Sequence, residues 1–235
     1  MISAWLRHLR RSLASRPLPP QGPPGIAALG HRAYVGGRWE EIGRLQFDFL
    51  LARGLRPDSY LLDIACGALR LGVRAIPYLE PGRYLGIEKE AELVRAGLER
   101  ELDPRVRAEK RPQFVISSSF EFEKFARRAD FAIAQSLFTH LPAEGIRACL
   151  RRLHPWLAKD GVLYATYFRS ERSTGNPEDA HDHAFFAYTP EEMVAFGETL
   201  GYDTTYLGAW NHPRGQVMVE YRPRPYRGAA GEPGP

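Results

Sequence analysis

The stretch that most narrows what this chain can become is Leu61–Gly72, which reads Leu-Leu-Asp-Ile-Ala-Cys-Gly-Ala-Leu-Arg-Leu-Gly. It predicts a buried strand ending in an acid, then a small-residue turn that opens a helix. A second strand, Tyr84–Glu88, also ends in an acid, Glu88 standing 25 positions after Asp63. Ligands of open α/β sheets lie beyond the carboxyl ends of the strands, where turn amides at a helix start face them. Two acidic strand tips around one tight turn therefore predict a site for a nucleoside-carrying cofactor.

The pattern around this run predicts one α/β domain. Strands read at 60–64, 83–87, 113–117, 129–135, 161–167, 202–208 and 216–221. Helices read from Trp39 to Gly54 and at about 69–79, 90–101, 119–126, 143–157 and 190–200. Such alternation predicts a parallel sheet with helices on both faces. Only a short loop joins the last two strands, so they must run antiparallel to one another.

The flanks read differently. Residues 1–16 hold four arginines and no acid, and Ile2, Trp5, Leu6, Leu9 and Leu13 fall on one helical face. Residues 2–13 thus predict a basic amphipathic helix able to meet a membrane surface, dock a protein or act as a presequence. Residues 17–29 read as a Pro/Gly-rich linker, 30–222 as the domain, and 223–235 as a disordered tail. Without the four N-terminal arginines the chain balances at 28 basic to 28 acidic residues. That balance argues against a large phosphate-binding surface, and no nucleic-acid partner is expected. Only four of the 32 basic residues are Lys, so a lone Arg carries little information. Cys66 and Cys149 suggest neither a disulfide framework nor a zinc site, and a reducing, cytoplasmic setting is expected. The sequence leaves oligomeric state open.

A dinucleotide site would want Gly-x-Gly-x-x-Gly after the first strand. This chain has Ala65, Gly67, Leu69 and Gly72 there and carries the extra acid Asp63. Such a loop suits a cofactor with a cation and no pyrophosphate. Asp63 can stabilise an ammonium group, and Glu88 can take two ribose hydroxyls.

From Gly30 to Tyr221 the chain resembles the class I S-adenosylmethionine-dependent methyltransferases. The likeness rests on Leu61–Gly72, Tyr84–Glu90, Phe114–Phe122, Ala129–Leu141, the helix before Leu157–Phe168, and the terminal hairpin. The resemblance implies a single three-layer Rossmann-like domain of seven mostly parallel strands, the last inserted antiparallel beside the fifth. It implies S-adenosylmethionine as cofactor, with Asp63, Ala65, Cys66 and Gly67 along its methionine part. Glu88 would then hold the ribose and Lys89 flank the adenine. Ser119 and Phe120 would contact the adenine, and Gln135 and Ser136 lie beside the sulfonium. Two departures stand out. Ala65 is a mild change if its φ is negative, whereas a Leu69 side chain could crowd the cofactor.

The acceptor should lie over the carboxyl ends of the later strands. There the turn 210–216 brings Trp210, His212 and Arg214, and strand five ends in Arg169. A long loop with His181 and His183 follows, and loops of that length tend to be lids or binding loops. His-x-His spacing admits metal binding, but no further ligand cluster supports it and no metal is expected. His140, just past strand four, and His212 are the candidate proton acceptors. Tyr34, before the flexible Gly36-Gly37 joint, is a candidate substrate contact on a segment that reads as a lid over the cofactor.

These residues together predict methyl transfer to an oxygen, ahead of a nitrogen, of a small molecule. A nucleic-acid methyltransferase is disfavoured, because the strand-four tip lacks an Asp/Asn-Pro-Pro-aromatic turn. A methyltransferase-like domain that only binds a partner would be favoured if Leu69 blocked the pocket. A dinucleotide oxidoreductase fails on the glycine pattern.

Overall fold

In the computed structural model, which describes residues 18–224, every residue of strand β1 (Leu61–Ile64) is buried. It pairs in parallel with β2 (Tyr84–Glu88) on one side and β4 (Ala129–Ala134) on the other. β3 (Gln113–Ile116) extends the sheet beyond β2, and β5 (Leu157–Arg169) lies beyond β4. β7 (Tyr202–Ala209) and β8 (Val217–Pro223) complete the order β3-β2-β1-β4-β5-β8-β7. β8 runs antiparallel to both β5 and β7. A two-residue strand, β6 (Ala187–Tyr188), pairs with β5 off this path, so the sheet has eight strands. The Rossmann-like expectation holds, with β8 as the antiparallel strand beside the fifth.

Period-two alternation distributes the apolar residues between two cores. Leu62, Ile64, Leu85 and Leu163 join one cluster, and Leu61, Tyr84, Ile133 and Tyr164 join the other. Below lies helix α7 (Ala143–Leu153), whose Ile146, Cys149, Leu150 and Leu153 are buried at helical spacing, together with α8 (Pro190–Glu198). A Thr189–Glu192 capping box starts α8, as Thr-Pro-Glu-Glu would suggest. Above lie α3 (Trp39–Ala52), α4 (Gly72–Tyr78) and α5 (Ala91–Arg100). No helix among the described residues is long and apolar enough to cross a membrane.

Several expected elements differ. Residues 17–29 do not behave as a linker where they are described. Gly22–Leu29 form helix α1, followed by the one-turn α2 (His31–Tyr34). Pro23 and Pro24 fall in the first turn, where a missing N–H costs nothing. A Cβ on Gly25 would lie 1.9 Å from the Pro20 carbonyl oxygen, so only glycine admits this packing. Ile26, Tyr34 and Trp39 then bury against Ala68 and Leu93. The helix expected at 119–126 shrinks to one 3-10 turn, Phe122–Lys124, because Phe120 takes a left-handed φ of 57°. An unexpected helix, α6 (Pro104–Lys110), follows the Asp103 cap, which accepts from the Arg105 amide at 2.7 Å. β8 ends at Pro223, one residue past the expected domain end. The basic helix expected at 2–13 and nearly all of the 223–235 tail lie outside the described residues.

Candidate functional site

A cavity of about 1070 Å³ opens over the carboxyl ends of β1 to β5. Its rim carries backbone strain that ordinary turns lack. Ala65 (φ 58°), Phe120 (57°) and Ser136 (62°) follow β1, β3 and β4, all in the left-handed region that favours glycine. Non-glycine residues held there cost of order 1–3 kcal/mol each and cluster at functional sites. Ala65 thus lacks the negative φ that would have made its replacement of glycine a mild change. Leu69 is also left-handed, at 68°, but points away. It is fully buried in the upper core and does not reach the cavity, so the expected crowding does not arise.

The acidic tips of β1 and β2 face the cavity together. Asp63 is 4 % exposed and accepts from the Tyr84 hydroxyl at 2.7 Å. Burial pushes its carboxyl up to about 7 against the opposing pull of Tyr84 and Arg70. Glu88 accepts three backbone amides: Gly67 at 2.9 Å, Lys89 at 2.8 Å and Glu90 at 3.1 Å. Burial raises its carboxyl too, although those amides favour the ionised form. Between them run Ala65, Cys66 and Gly67, also at the wall. Burial pushes the Cys66 thiol up, which makes it an uncharged apolar surface. A Cβ on Gly67 would meet Val35 Cγ1 at 2.9 Å, so the N-terminal segment packs directly onto the turn.

That segment is tied across the mouth. The Tyr34 hydroxyl accepts from the Gly22 amide at 2.6 Å and donates to Asp182. Asp182 also accepts from Lys89, and its own amide donates to Gln21 Oε1 at 3.0 Å. Burial works to raise the Asp182 carboxyl, and the bonds from Lys89 and Tyr34 outweigh it. The Tyr34 ring meets His183 edge to face, with centroids 5.0 Å apart. Tyr34, Lys89, His181 and His183 all line the cavity.

At the β4 side stand Gln135, Ser136 and His140. Gln135 Oε1 accepts from Arg70 and, at 3.2 Å, from Gln46 Nε2. Ser136 exchanges hydrogen bonds with Gln216, which also accepts from Thr166 at 2.7 Å. His140 places Nδ1 3.0 Å from the Ala184 carbonyl, which fixes its proton there and leaves Nε2 as the lone-pair nitrogen. Burial pulls its pKa down to about 4.

Four expected site residues lie elsewhere. Ser119 is exposed and hydrogen-bonds to Ser117, while Ser117 and Ser118 reach the cavity in its place. Arg169 lies over the Tyr206 ring, outside the cavity. Trp210 belongs to the upper core against Phe49. His212 stacks on Trp210 at 17° and faces Gln135 from behind, Nε2 to Nε2 3.2 Å. Burial, then the neighbouring arginines, pull its pKa down to about 3, and it packs beneath the site instead of facing a substrate. From the same turn only Arg214 and Gln216 reach the cavity. Arg70 and Gln46 are wall residues that the sequence did not mark as part of the site. Arg70 sits inside the key motif, but the Arg excess of the chain hid its signal.

Comparison with known proteins agrees with this geometry. Residues 62–163 match the family model described as a methyltransferase domain. An S-adenosylmethionine-dependent methyltransferase from Clostridium acetobutylicum superposes with a TM-score of 0.61 at 10% identity, over 85% of this chain and 98% of that one. The CcbJ methyltransferase from Streptomyces caelestis gives 0.61 at 13% identity, over 78% and 90%. Magnesium protoporphyrin IX methyltransferase from Synechocystis, solved with bound S-adenosylmethionine, gives 0.56 at 14% identity, over 77% and 80%. Residues 62–163 thus match a methyltransferase domain, and the strand order and paired acidic tips around them have the arrangement of the class I S-adenosylmethionine-dependent methyltransferases that the chain resembles.

Proposed function

We propose that the chain transfers a methyl group from S-adenosylmethionine to a hydroxyl oxygen, ahead of a nitrogen, of a small molecule. The carrying observation is His140, a neutral imidazole at the cavity wall with its proton committed to Ala184 and Nε2 left to accept. The residues present fit the cofactor. Buried Asp63 suits its ammonium, and Glu88, already aligned by three amides, suits the ribose hydroxyls. Arg70 Nε is buried with no acceptor among the described residues, which suits a carboxylate. Ala65, Cys66 and Gly67 would follow the methionine part, with Gln135 and Ser136 beside the sulfonium. Lys89, Ser118 and Phe120 would border the adenine. Bound there, S-adenosylmethionine supplies an electrophilic methyl group whose leaving group is a neutral thioether.

The chain's own task is then alignment and exclusion of water. The Tyr34–Asp182–Lys89 tie holds the N-terminal segment over the mouth. His140 Nε2 accepts the hydroxyl hydrogen bond in the ground state and takes the proton as the oxygen acquires its new bond. An oxygen gaining a third substituent is strongly acidic, so a base with a pKa of about 4 suffices. Tyr34, His181 and His183 border the acceptor entrance.

Calorimetric titration with S-adenosylhomocysteine tests the cofactor half. Micromolar binding that Glu88→Ala and Asp63→Ala abolish is expected, whereas saturating ligand without heat from folded protein refutes it. A screen of paired alcohols and amines, read by S-adenosylhomocysteine release, tests the acceptor half. Turnover of alcohols that His140→Gln lowers at least 100-fold is expected. Turnover of amines alone refutes the oxygen reading.

A further inference from the structure

Two guanidinium groups line the cavity without an acid to pair with either among the described residues. Arg70 NH1 donates to the Val35 and Gly37 carbonyls, both at 3.0 Å, and NH2 donates to Gln135. Its Nε has no partner among the described residues. The Arg214 side chain, from the turn between β7 and β8, donates among the described residues only to the Gly36 carbonyl. Neutral carbonyls thus meet both cations. The charges also press on one another: burial, then Arg214, pulls the Arg70 pKa down to about 10. Burial, then Arg38, lowers that of Arg214. Arg38 itself is paired with Glu41 at 2.8 Å. The nearest carboxylate acting on Arg70 is Asp63, which is already held by Tyr84.

Besides the sulfonium, whose charge the transfer removes, the charge count leaves one guanidinium over. S-adenosylmethionine brings an ammonium, a sulfonium and a single carboxylate. Asp63 can answer the ammonium and Arg70 the carboxylate, both residues lying in or beside the turn after β1. Arg214 belongs to the other half of the sheet, where β8 adjoins β5, and it shares that end with Gln216. A half-buried cation beside a second guanidinium is costly unless an anion arrives.

We propose that the methyl acceptor is itself an anion, a small hydroxy compound bearing a carboxylate or phosphate group, and that Arg214 receives this group. The inference rests on the methyltransferase reading and adds the substrate class. Arg214 offers a planar fork that matches either oxyanion, and the anion would offset the positive charge gathered around the reacting centre.

The test uses full-length protein saturated with S-adenosylhomocysteine, whose binding is measured first. Small hydroxy acids, among them 4-hydroxybenzoate and glycerol 3-phosphate, are titrated beside neutral counterparts, 4-hydroxybenzamide and glycerol. At least one anion should bind tenfold or more tightly than its neutral partner, and less tightly as salt rises. Arg214→Gln should erase that preference, Arg214→Lys should retain part of it, and S-adenosylhomocysteine affinity should stay within about threefold in both. Melting curves confirm that each variant is folded. Equal binding of anion and neutral partner, a preference that survives Arg214→Gln, or no anion bound by the loaded protein overturns the proposal. Absence of S-adenosylhomocysteine binding to the wild type overturns the underlying reading instead. The carboxylate and phosphate arms show which oxyanion is preferred.

Discussion

Replacing Asp63 by asparagine should stabilise the cofactor-free protein at alkaline pH while weakening its hold on the cofactor. The Asp63 carboxyl is 4 % exposed, and burial raises it from 3.8 to about 7. A carboxyl raised on folding contributes stability below its unfolded pKa and loses it as pH rises through the folded value. Over that whole window the loss is about 4 kcal/mol, of which about 3 kcal/mol falls between pH 5 and 8. The asparagine side chain would keep the shape and still accept from the Tyr84 hydroxyl, 2.7 Å away in the native protein, but does not titrate. His140 and His212, both held neutral, lose stability in the opposite sense as pH falls below 6.5. They are present in both proteins, so the difference between wild type and variant isolates Asp63. Urea unfolding of the two at pH 5 and pH 8 measures it. The wild type should fall behind the variant by about 3 kcal/mol more at pH 8 than at pH 5. The cofactor ammonium should draw the same proton off Asp63, so wild-type binding near pH 6.5 should release a proton that the variant's does not. Parallel stabilities at both pH values would refute the claim that burial dominates this carboxyl.

Three further outcomes follow from the same geometry. Gly67→Ala places a methyl group at a φ of 55° and 2.9 Å from Val35 Cγ1. It should cost about 1 kcal/mol in urea unfolding and at least tenfold in S-adenosylhomocysteine affinity, and retained affinity would show that this contact does not shape the cofactor wall. Tyr34→Phe removes the hydroxyl shared by Gly22 and Asp182. Stopped-flow dissociation of S-adenosylhomocysteine should speed up about tenfold, and an unchanged rate would mean that the N-terminal segment does not gate the mouth. Leu69→Ala deletes a fully buried side chain and should cost about 2–4 kcal/mol with ligand affinity unchanged. Tighter binding would restore the idea that Leu69 intrudes.

The acidic tips were legible in sequence because strand, acid and turn are contiguous around Asp63 and Gly67, and the parallel pairing expected of β1 and β2 brings Glu88 to the same loop. The same logic failed for Trp210 and His212. Their polar, aromatic turn resembles a substrate loop, yet Trp210 is drawn into the upper core and His212 stacks on it. The Pro-rich segment misled for a related reason. Pro23 and Pro24 suit a helix start as well as a linker, and only the close packing of Gly25 on Pro20 separates the two.

Sequence by itself determined the strand and helix alternation, the antiparallel ending and the two carboxylates, since each depends on periodicity or on residues close along the chain. Tertiary structure decided which distant residues meet. It brought Asp182 to Tyr34 across 148 positions and Arg214 to Gly36 across 178. Side-chain direction at a turn follows the strain and packing around it, and residue identity alone does not encode that.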